Sequence, residues 1–346
     1  MNRKKDWMQR AFDLAQLGAG KVAPNPLVGC VIVKENQIIG EGWHQQYGGP
    51  HAEVEAIQSI PKELNAKGSS VFVTLEPCSH FGKTPPCADL LIKNEVKKVY
   101  IANLDPNELV AGKGIKKLED AGIEVEVGLL STLGEEINRK FFTFHRKKRP
   151  YISVKYACSS DSFISKENGE SVQFSNSLSR NFVHKLRAEN QAILVGTNTA
   201  NLDNPSLTTR YWEGKSPIRL VTDPNNHLRE DIILIKDDLP TYIFTKHIEK
   251  KSNQKHWIAL GDYTGSEFVK KIMEKCFDLG IQSILVEGGS TTITYFKDAN
   301  LIDELYRIES SIILNSGIPA PNFPVNYSNT QQMGTDNWIK YASFEV

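Results

Sequence analysis

Apolar residues recur at helical spacing over residues 4–18, as Trp7, Met8, Ala11, Phe12, Leu14 and Ala15, and Gly18 and Gly20 close the run. Residues 27–33 are almost continuously apolar, which predicts a strand buried on both faces. Residues 34–37 turn the chain, and residues 38–43 predict the return strand of a hairpin. The loop Gly48-Gly49-Pro50 then delivers His51, after which Val54, Ala56, Ile57 and Ile60 restore a helical period. Residues 70–75 predict a strand rich in β-branched side chains, and Cys87, following Pro85-Pro86, opens a helix through Ala88, Leu90, Leu91 and Ile92. A strand at 96–102, a helix near 114–121, a strand at 123–128 and a helix near 132–144 follow.

The pattern restarts after residue 150. Strands are predicted at 151–157, 191–195, 217–223, 241–245, 256–260 and 283–286, with a final strand region at 304–314. Helices are predicted at 178–189, at 268–279 and after residue 290. Residues 159–169 read as a polar stretch and 196–199 as a loop, and the Pro- and Asn-rich tail after Asn315 has no assignable period. Strands alternating with helices in both halves predict an α/β protein of two domains, the first with helices on both faces of its sheet. The basic run His145-Arg146-Lys147-Lys148-Arg149-Pro150 marks the boundary, giving domains 1–146 and 147–346.

Composition narrows the function classes. Of 346 residues, 40% are hydrophobic and 24% charged, enough apolar material for two cores. Lys+Arg and Asp+Glu are 41 each, so net charge supports neither nucleic-acid nor membrane binding. No apolar run reaches the ~18 residues of a membrane span, and the first residues lack the apolar core of a secretory signal. Five scattered cysteines suit a reducing cytoplasm better than a disulfide framework.

The chemistry concentrates between His51 and Cys87. His51-Ala52-Glu53 stands at a helix start, Glu76-Pro77-Cys78 at a strand end and Cys87 at another helix start, so all sit at strand-to-helix junctions. His51, Cys78 and Cys87 offer three zinc ligands and leave a fourth position open, as a catalytic rather than a closed structural site requires. Glu53, no ligand itself, is the candidate to move protons between water and a departing amine. Asn25, between Pro24 and Pro26, could hold an amide or ring edge, or be only a turn residue. His44 and His80 could touch substrate or cap loops, and Lys83 could meet a phosphate or be solvated.

The His-x-Glu and Pro-Cys elements resemble the cytidine-deaminase-like zinc deaminases, but eight residues separate the two cysteines in place of the usual two. That insertion, with Pro24-Asn25-Pro26-Leu27-Val28-Gly29 upstream, is similar to one branch, the bifunctional pyrimidine deaminase/reductases of riboflavin biosynthesis. The second half resembles the reductase domain of that family, which has a dihydrofolate-reductase-like fold. The resemblance rests on Lys155, Asp161, Leu186-Arg187-Ala188, residues 193–197, residues 203–208, Arg210 and Val286-Glu287-Gly288-Gly289-Ser290.

The resemblance implies zinc-dependent deamination of 2,5-diamino-6-ribosylamino-4(3H)-pyrimidinone 5′-phosphate, then NADPH-dependent reduction of the ribosyl group of 5-amino-6-(5-phosphoribosylamino)uracil to ribityl. It implies NADPH contacts at Ala157, Thr199, Asp203 and Gly289, Ser290, Thr291, Thr292, Ile293, Thr294 and Tyr295. It places Ser171, Arg187, Leu207, Arg210 and Glu287 on the ribosyl phosphate; Lys155 is a further candidate near the sugar. Self-association is implied by analogy. The Gly288-Gly289 step ahead of a helix suits a phosphate, and Arg187 and Arg210 are fork-shaped phosphate partners. Three departures fall in the second half: Ser162 stands where the family usually has Gly, Gln173 where it often has Trp, and Asn315-Ser316 where it usually has Gly-Gly. A nucleoside or tRNA-base deaminase with an added recognition domain, a zinc-stabilised binding protein and a deaminase joined to a binding-only second domain remain as alternatives.

Overall fold

The structure, a computed structural model, describes residues 3–79, 85–107, 111–323 and 329–342; His80 and Lys83 lie outside the described residues. The chain divides into two compact units, 1–148 and 149–346. Among the described residues no helix is long and apolar enough to cross a membrane.

The first unit runs α1 (Arg3–Gln16), β1 (Gly29–Lys34), β2 (Gln37–Trp43), α2 (Ala52–Gln58), β3 (Ser70–Leu75), α3 (Cys87–Lys93), β4 (Lys98–Asn103), α4 (Lys113–Asp120), β5 (Glu124–Val127), α5 (Ser131–Ile137) and α6 (Arg139–Lys147). Its sheet order is β2-β1-β3-β4-β5; β1 is antiparallel to both neighbours, and β3, β4 and β5 are parallel. The near-continuous apolar run of β1 follows from burial on both faces. Cys30 and Ile32, with Val71, Val73, Val99 and Ile101, pack against α2, α3 and α4. Val31 and Val33, with Phe72, Tyr100 and Ala102, pack against α1 and α5. The helix predicted near 132–144 is broken at Asn138, whose side chain is taken by the backbone of Leu27.

The second unit runs β6 (Tyr151–Cys158), β7 (Phe163–Ser165), α7 (Ser177–Glu189), β8 (Ala192–Gly196), α8 (Thr197–Asp203), β9 (Ile218–Thr222), α9 (Ile233–Lys236), β10 (Thr241–Thr245), β11 (Lys250–Ser252), β12 (Lys255–Ala259), α10 (Gly265–Asp278), β13 (Ser283–Val286), α11 (Ser290–Asp298), β14 (Glu304–Glu309), β15 (Ile318–Pro319), β16 (Asn329–Met333) and β17 (Asp336–Ala342). Its large sheet has the order β11-β12-β10-β9-β8-β13-β6-β14-β17-β16. The block from β12 to β14 is parallel, and β11, β17 and β16 attach antiparallel. One face packs on α10 and α11, the other on α7, α8 and α9.

Three expectations are corrected. Residues 197–203 are helix α8 rather than a loop beginning at Gly196: the sequence Thr-Asn-Thr has low helix propensity, but Ala200 is fully buried and Thr197 Oγ1 is fixed by the Thr222 carbonyl at 2.6 Å. The last predicted strand stops at Glu309. The unassigned tail contains the hairpin β16–β17, whose β17 pairs with β14 through Trp338 opposite Ile308.

Candidate active sites

In the first unit, His51 is the N-cap of α2 and Cys87 is the first residue of α3, while Cys78 lies just beyond β3. His51 Nδ1 is 3.6 Å from Cys78 Sγ and 3.3 Å from Cys87 Sγ, and the three donor atoms all lie within 4.8 Å of one another. Tetrahedral zinc with these ligands needs N···S and S···S separations of about 3.6–3.8 Å, so the donor set fits that metal. The backbone N–H of Cys87 donates to Cys78 Sγ at 3.3 Å. The Cys87 thiol, His51 and that N–H together draw the Cys78 thiol below its ordinary value, against the burial that opposes them. The pull is toward the thiolate, the form a metal requires.

Glu53 is 3% exposed, two residues into the same junction. Burial pushes its carboxyl up to about 7, and the neighbouring Cys78 thiolate adds to the push. A bound dication would act in the opposite direction. His44 is buried: its Nδ1 donates to the Pro50 carbonyl at 2.8 Å, so Nε2 accepts from Asn25 Nδ2 at 3.1 Å. Burial lowers the His44 pKa, which keeps that neutral tautomer. His44 thus orients Asn25, and its ring meets His51 edge-on at 5.8 Å.

In the second unit a cavity of about 460 Å³ opens at the carboxyl ends of β6, β8, β9 and β13. Lys155, Ala157, Ser171, Thr199, Asp203 and Glu287 line it, as do Gly289, Ser290, Thr291, Thr292, Ile293 and Tyr295. Gly289 holds φ at +48°, and a Cβ on Gly288 would lie 2.8 Å from Val195 Cα, so both glycines are needed to bring this loop onto β8. The α11 N-terminus follows at once and supplies N–H groups for an anion. Burial raises the Asp203 pKa, opposed by a hydrogen bond with Ser171. Thr294 does not line the cavity; its hydroxyl donates to the Ser290 carbonyl at 2.9 Å.

Glu287 carries the electrostatics of this end. It accepts from Arg187 Nε at 2.8 Å and Nη2 at 2.9 Å, and Lys155 Nζ lies 3.0 Å away. Burial alone would raise its pKa, but the two cations hold it well below the carboxylate range. Arg187 also donates to the Thr208 carbonyl at 3.1 Å. Leu207 is a core residue, 2% exposed, while the exposed Arg210 guanidinium meets the hydroxyls of Ser206 and Thr208. Arg187, Leu207 and Arg210 therefore stand behind or beside the cavity wall rather than on it.

Comparison with known proteins places the chain. Residues 1–103 match the family described as cytidine and deoxycytidylate deaminase zinc-binding region, and residues 150–316 match the RibD C-terminal domain. The riboflavin biosynthesis protein RibD of Bacillus amyloliquefaciens is 42% identical over 323 residues, covering 91% of this chain and 86% of that protein. The chain belongs to the RibD family. Among solved structures, the diaminohydroxyphosphoribosylaminopyrimidine deaminase/5-amino-6-(5-phosphoribosylamino)uracil reductase of Thermotoga maritima is similar at 35% identity, with a TM-score of 0.87 and 98% of each chain covered. RibD of Acinetobacter baumannii is similar at 31% identity, with a TM-score of 0.88 and the same coverage. The RibD chain thus joins a cytidine-deaminase-like unit to a reductase unit.

Several residues that shape these RibD sites escaped the sequence reading. Asn138 donates to the Leu27 carbonyl at 2.9 Å and accepts its N–H at 2.8 Å, which fixes the loop carrying Asn25. Nothing in the sequence links positions 111 residues apart. Asp223, fully buried at the cavity edge, accepts from the N–H groups of His227 and Leu228 at 2.8 and 3.0 Å and closes the turn after β9. His184 accepts the Arg210 N–H at 2.9 Å; its place one helical turn before Arg187 was the available signal.

Two predictions arise here. Cys78→Ser and Cys87→Ser each remove a thiolate from a three-ligand set, so each is expected to leave the purified protein short of zinc by metal analysis, with reduction unaffected. Burial, with Arg187 and Arg210 nearby, lowers His184 to about 4. A base lowered on folding is bound neutral, so its contribution is fully present above about 6.5 and is lost as pH falls from there through about 4. The urea midpoint of the second unit is expected to drop between pH 7 and pH 5, and to drop less in His184→Gln.

Proposed function

We propose that this RibD-family chain catalyses two successive steps of riboflavin biosynthesis, one in each unit. The first is hydrolytic deamination of 2,5-diamino-6-ribosylamino-4(3H)-pyrimidinone 5′-phosphate. The second is reduction of the ribosyl group of the product to ribityl. The observation that carries the reading is the pairing, on one chain, of the His51–Cys78–Cys87 donor set beside buried Glu53 with a Gly-Gly-floored cavity beside Glu287.

In the deaminase unit, His51, Cys78 and Cys87 hold zinc. Zinc supplies the Lewis acidity that makes water a nucleophile at neutral pH. Glu53 accepts the proton of the attacking water and delivers it to the departing amine, so that ammonia leaves. Asn25, held by His44, orients the pyrimidine edge, and His80 and Lys83 belong to the same substrate site. In the reductase unit, NADPH supplies the hydride. Ala157, Thr199, Asp203 and the 289–295 segment bind and orient it, the α11 N-terminus offering N–H groups to a phosphate. Lys155, Ser171, Arg187, Leu207, Arg210 and Glu287 position the ribosyl phosphate. The partners are these small molecules, with no nucleic acid or membrane, in the cytoplasm.

Product analysis with zinc and NADPH tests the reading. The diamino substrate is expected to yield ammonia and then the ribityl product with one equivalent of NADPH oxidised. A folded, zinc-loaded protein that deaminated cytidylate but not this substrate would overturn it.

A further inference from the structure

Glu76 has no part in the chemistry above, yet it is a buried carboxylate, 4% exposed, two residues before a metal ligand. Its own N–H still pairs with the Asn103 carbonyl at 3.0 Å, so β3 keeps its register with β4 up to this point. Its side chain then turns under the segment that follows β4. Oε2 accepts the N–H groups of Gly112 at 3.0 Å and Asp105 at 3.3 Å. Oε1 accepts those of Gly114 at 3.0 Å and Ile115 at 3.4 Å. The cap position of α4 is Gly112, which has no side chain, and Glu76 performs the capping from another strand. A Cβ on Gly114 would lie 2.0 Å from the Pro77 carbonyl oxygen, so the α4 N-terminus is flush against the backbone between Glu76 and Cys78.

From the other side, the Ala88 N–H donates to the Cys78 carbonyl at 3.1 Å and the Cys87 N–H to Cys78 Sγ. The segment from Glu76 to Cys78 is therefore held between two helix N-termini, α4 on Glu76 and Pro77 and α3 on Cys78. Only the α3 grip lies within residues 1–103, which match the zinc-binding region; the α4 grip is made by residues beyond it.

We propose that Glu76 is a positioning residue for the metal centre: it locks Pro77 and the Cys78 backbone onto the N-terminus of α4 and so sets the Cys78 thiolate in its ligating pose. This rests on the zinc reading given above. A carboxylate is required because all four of its partners are donors. In Glu76→Gln, one half of the side chain becomes an N–H₂ group facing N–H groups, and that half of the grip is lost.

The test uses the full chain. Zinc affinity is measured by chelator competition, and the Co²⁺-substituted protein is read by its thiolate and d–d absorption. Glu76→Gln is expected to bind zinc about 10–100-fold more weakly, with altered Co²⁺ bands. Met8→Ala, which opens the core on the opposite face of the sheet, is expected to melt earlier with unchanged zinc affinity and bands. Glu76→Asp keeps the charge but retreats by one methylene; it is read against the same criteria should the amide variant fail to fold. Wild-type zinc affinity and bands in a folded Glu76 variant would overturn the positioning role while leaving the zinc reading standing. So would an equal loss of zinc in Met8→Ala, which would reduce the effect to stability. A wild-type protein that took up no zinc would overturn both.

Discussion

Glu53→Gln is expected to lower the rate of deamination about 10²–10⁴-fold, the span of general acid–base catalysis, while the protein keeps one zinc per chain. The replacement is nearly isosteric and leaves His51, Cys78 and Cys87 in place, so metal content by elemental analysis and reduction of supplied deaminated intermediate should both be unchanged. Stability should move the other way. Burial raises the Glu53 carboxyl to about 7 in the metal-free protein. An acid raised on folding contributes fully below its unfolded value near 4.3 and loses that contribution as pH rises through about 7. Metal-free Glu53→Gln, with no charge to bury, is therefore expected to unfold at higher urea than wild type at pH 8. Wild-type turnover by the zinc-loaded variant would remove Glu53 from the mechanism.

The second large effect is expected in the other unit. Glu287→Gln strips the counter-charge from Arg187 and Lys155, whose side chains are 12% and 13% exposed. Removing one partner of a buried ionic group costs about 3–5 kcal/mol, because the remaining charges stay buried without compensation. The loss should be confined to the reductase unit: its unfolding transition moves to lower urea and NADPH oxidation falls, while deamination persists. Linkage gives an independent check. Glu287 is an acid whose pKa is depressed on folding, so its contribution is fully present above about 4.3 and is lost only as pH falls toward the far lower folded value. The variant should lack that acid-limb dependence. Equal urea midpoints for variant and wild type would show that the triad does not hold this unit together.

The donor set was legible in the sequence because each ligand stands at a junction that local pattern already marks. A loop precedes His51, a strand end precedes Cys78, and Pro85-Pro86 precedes Cys87. The two sheets were legible for the same reason: long β-branched runs alternate with helical periods. What was not legible is what joins distant stretches. Glu76 was visible as part of Glu-Pro-Cys, but its four amide partners lie 29 to 39 residues away. Arg187 meets Glu287 across 100 residues, and only the family resemblance put both at one site. Helix α8 defeats propensity because tertiary burial of Ala200 decides it. The β16–β17 hairpin has polar, exposed positions along β16, so no alternation announced it.

The place of β6 in its sheet has a consequence for biosynthesis. It is the first strand of its unit, yet it lies between β13 and β14, close to the other end of the chain. The first unit has all its strands once β5 has emerged, and it can fold while the ribosome is still at work. Strand β6, by contrast, waits for roughly 125 residues before β13 appears, about 6–25 s at ordinary elongation rates. During that interval an apolar strand lacks both of its sheet neighbours, so the nascent second unit passes through its most association-prone stage before β13 emerges.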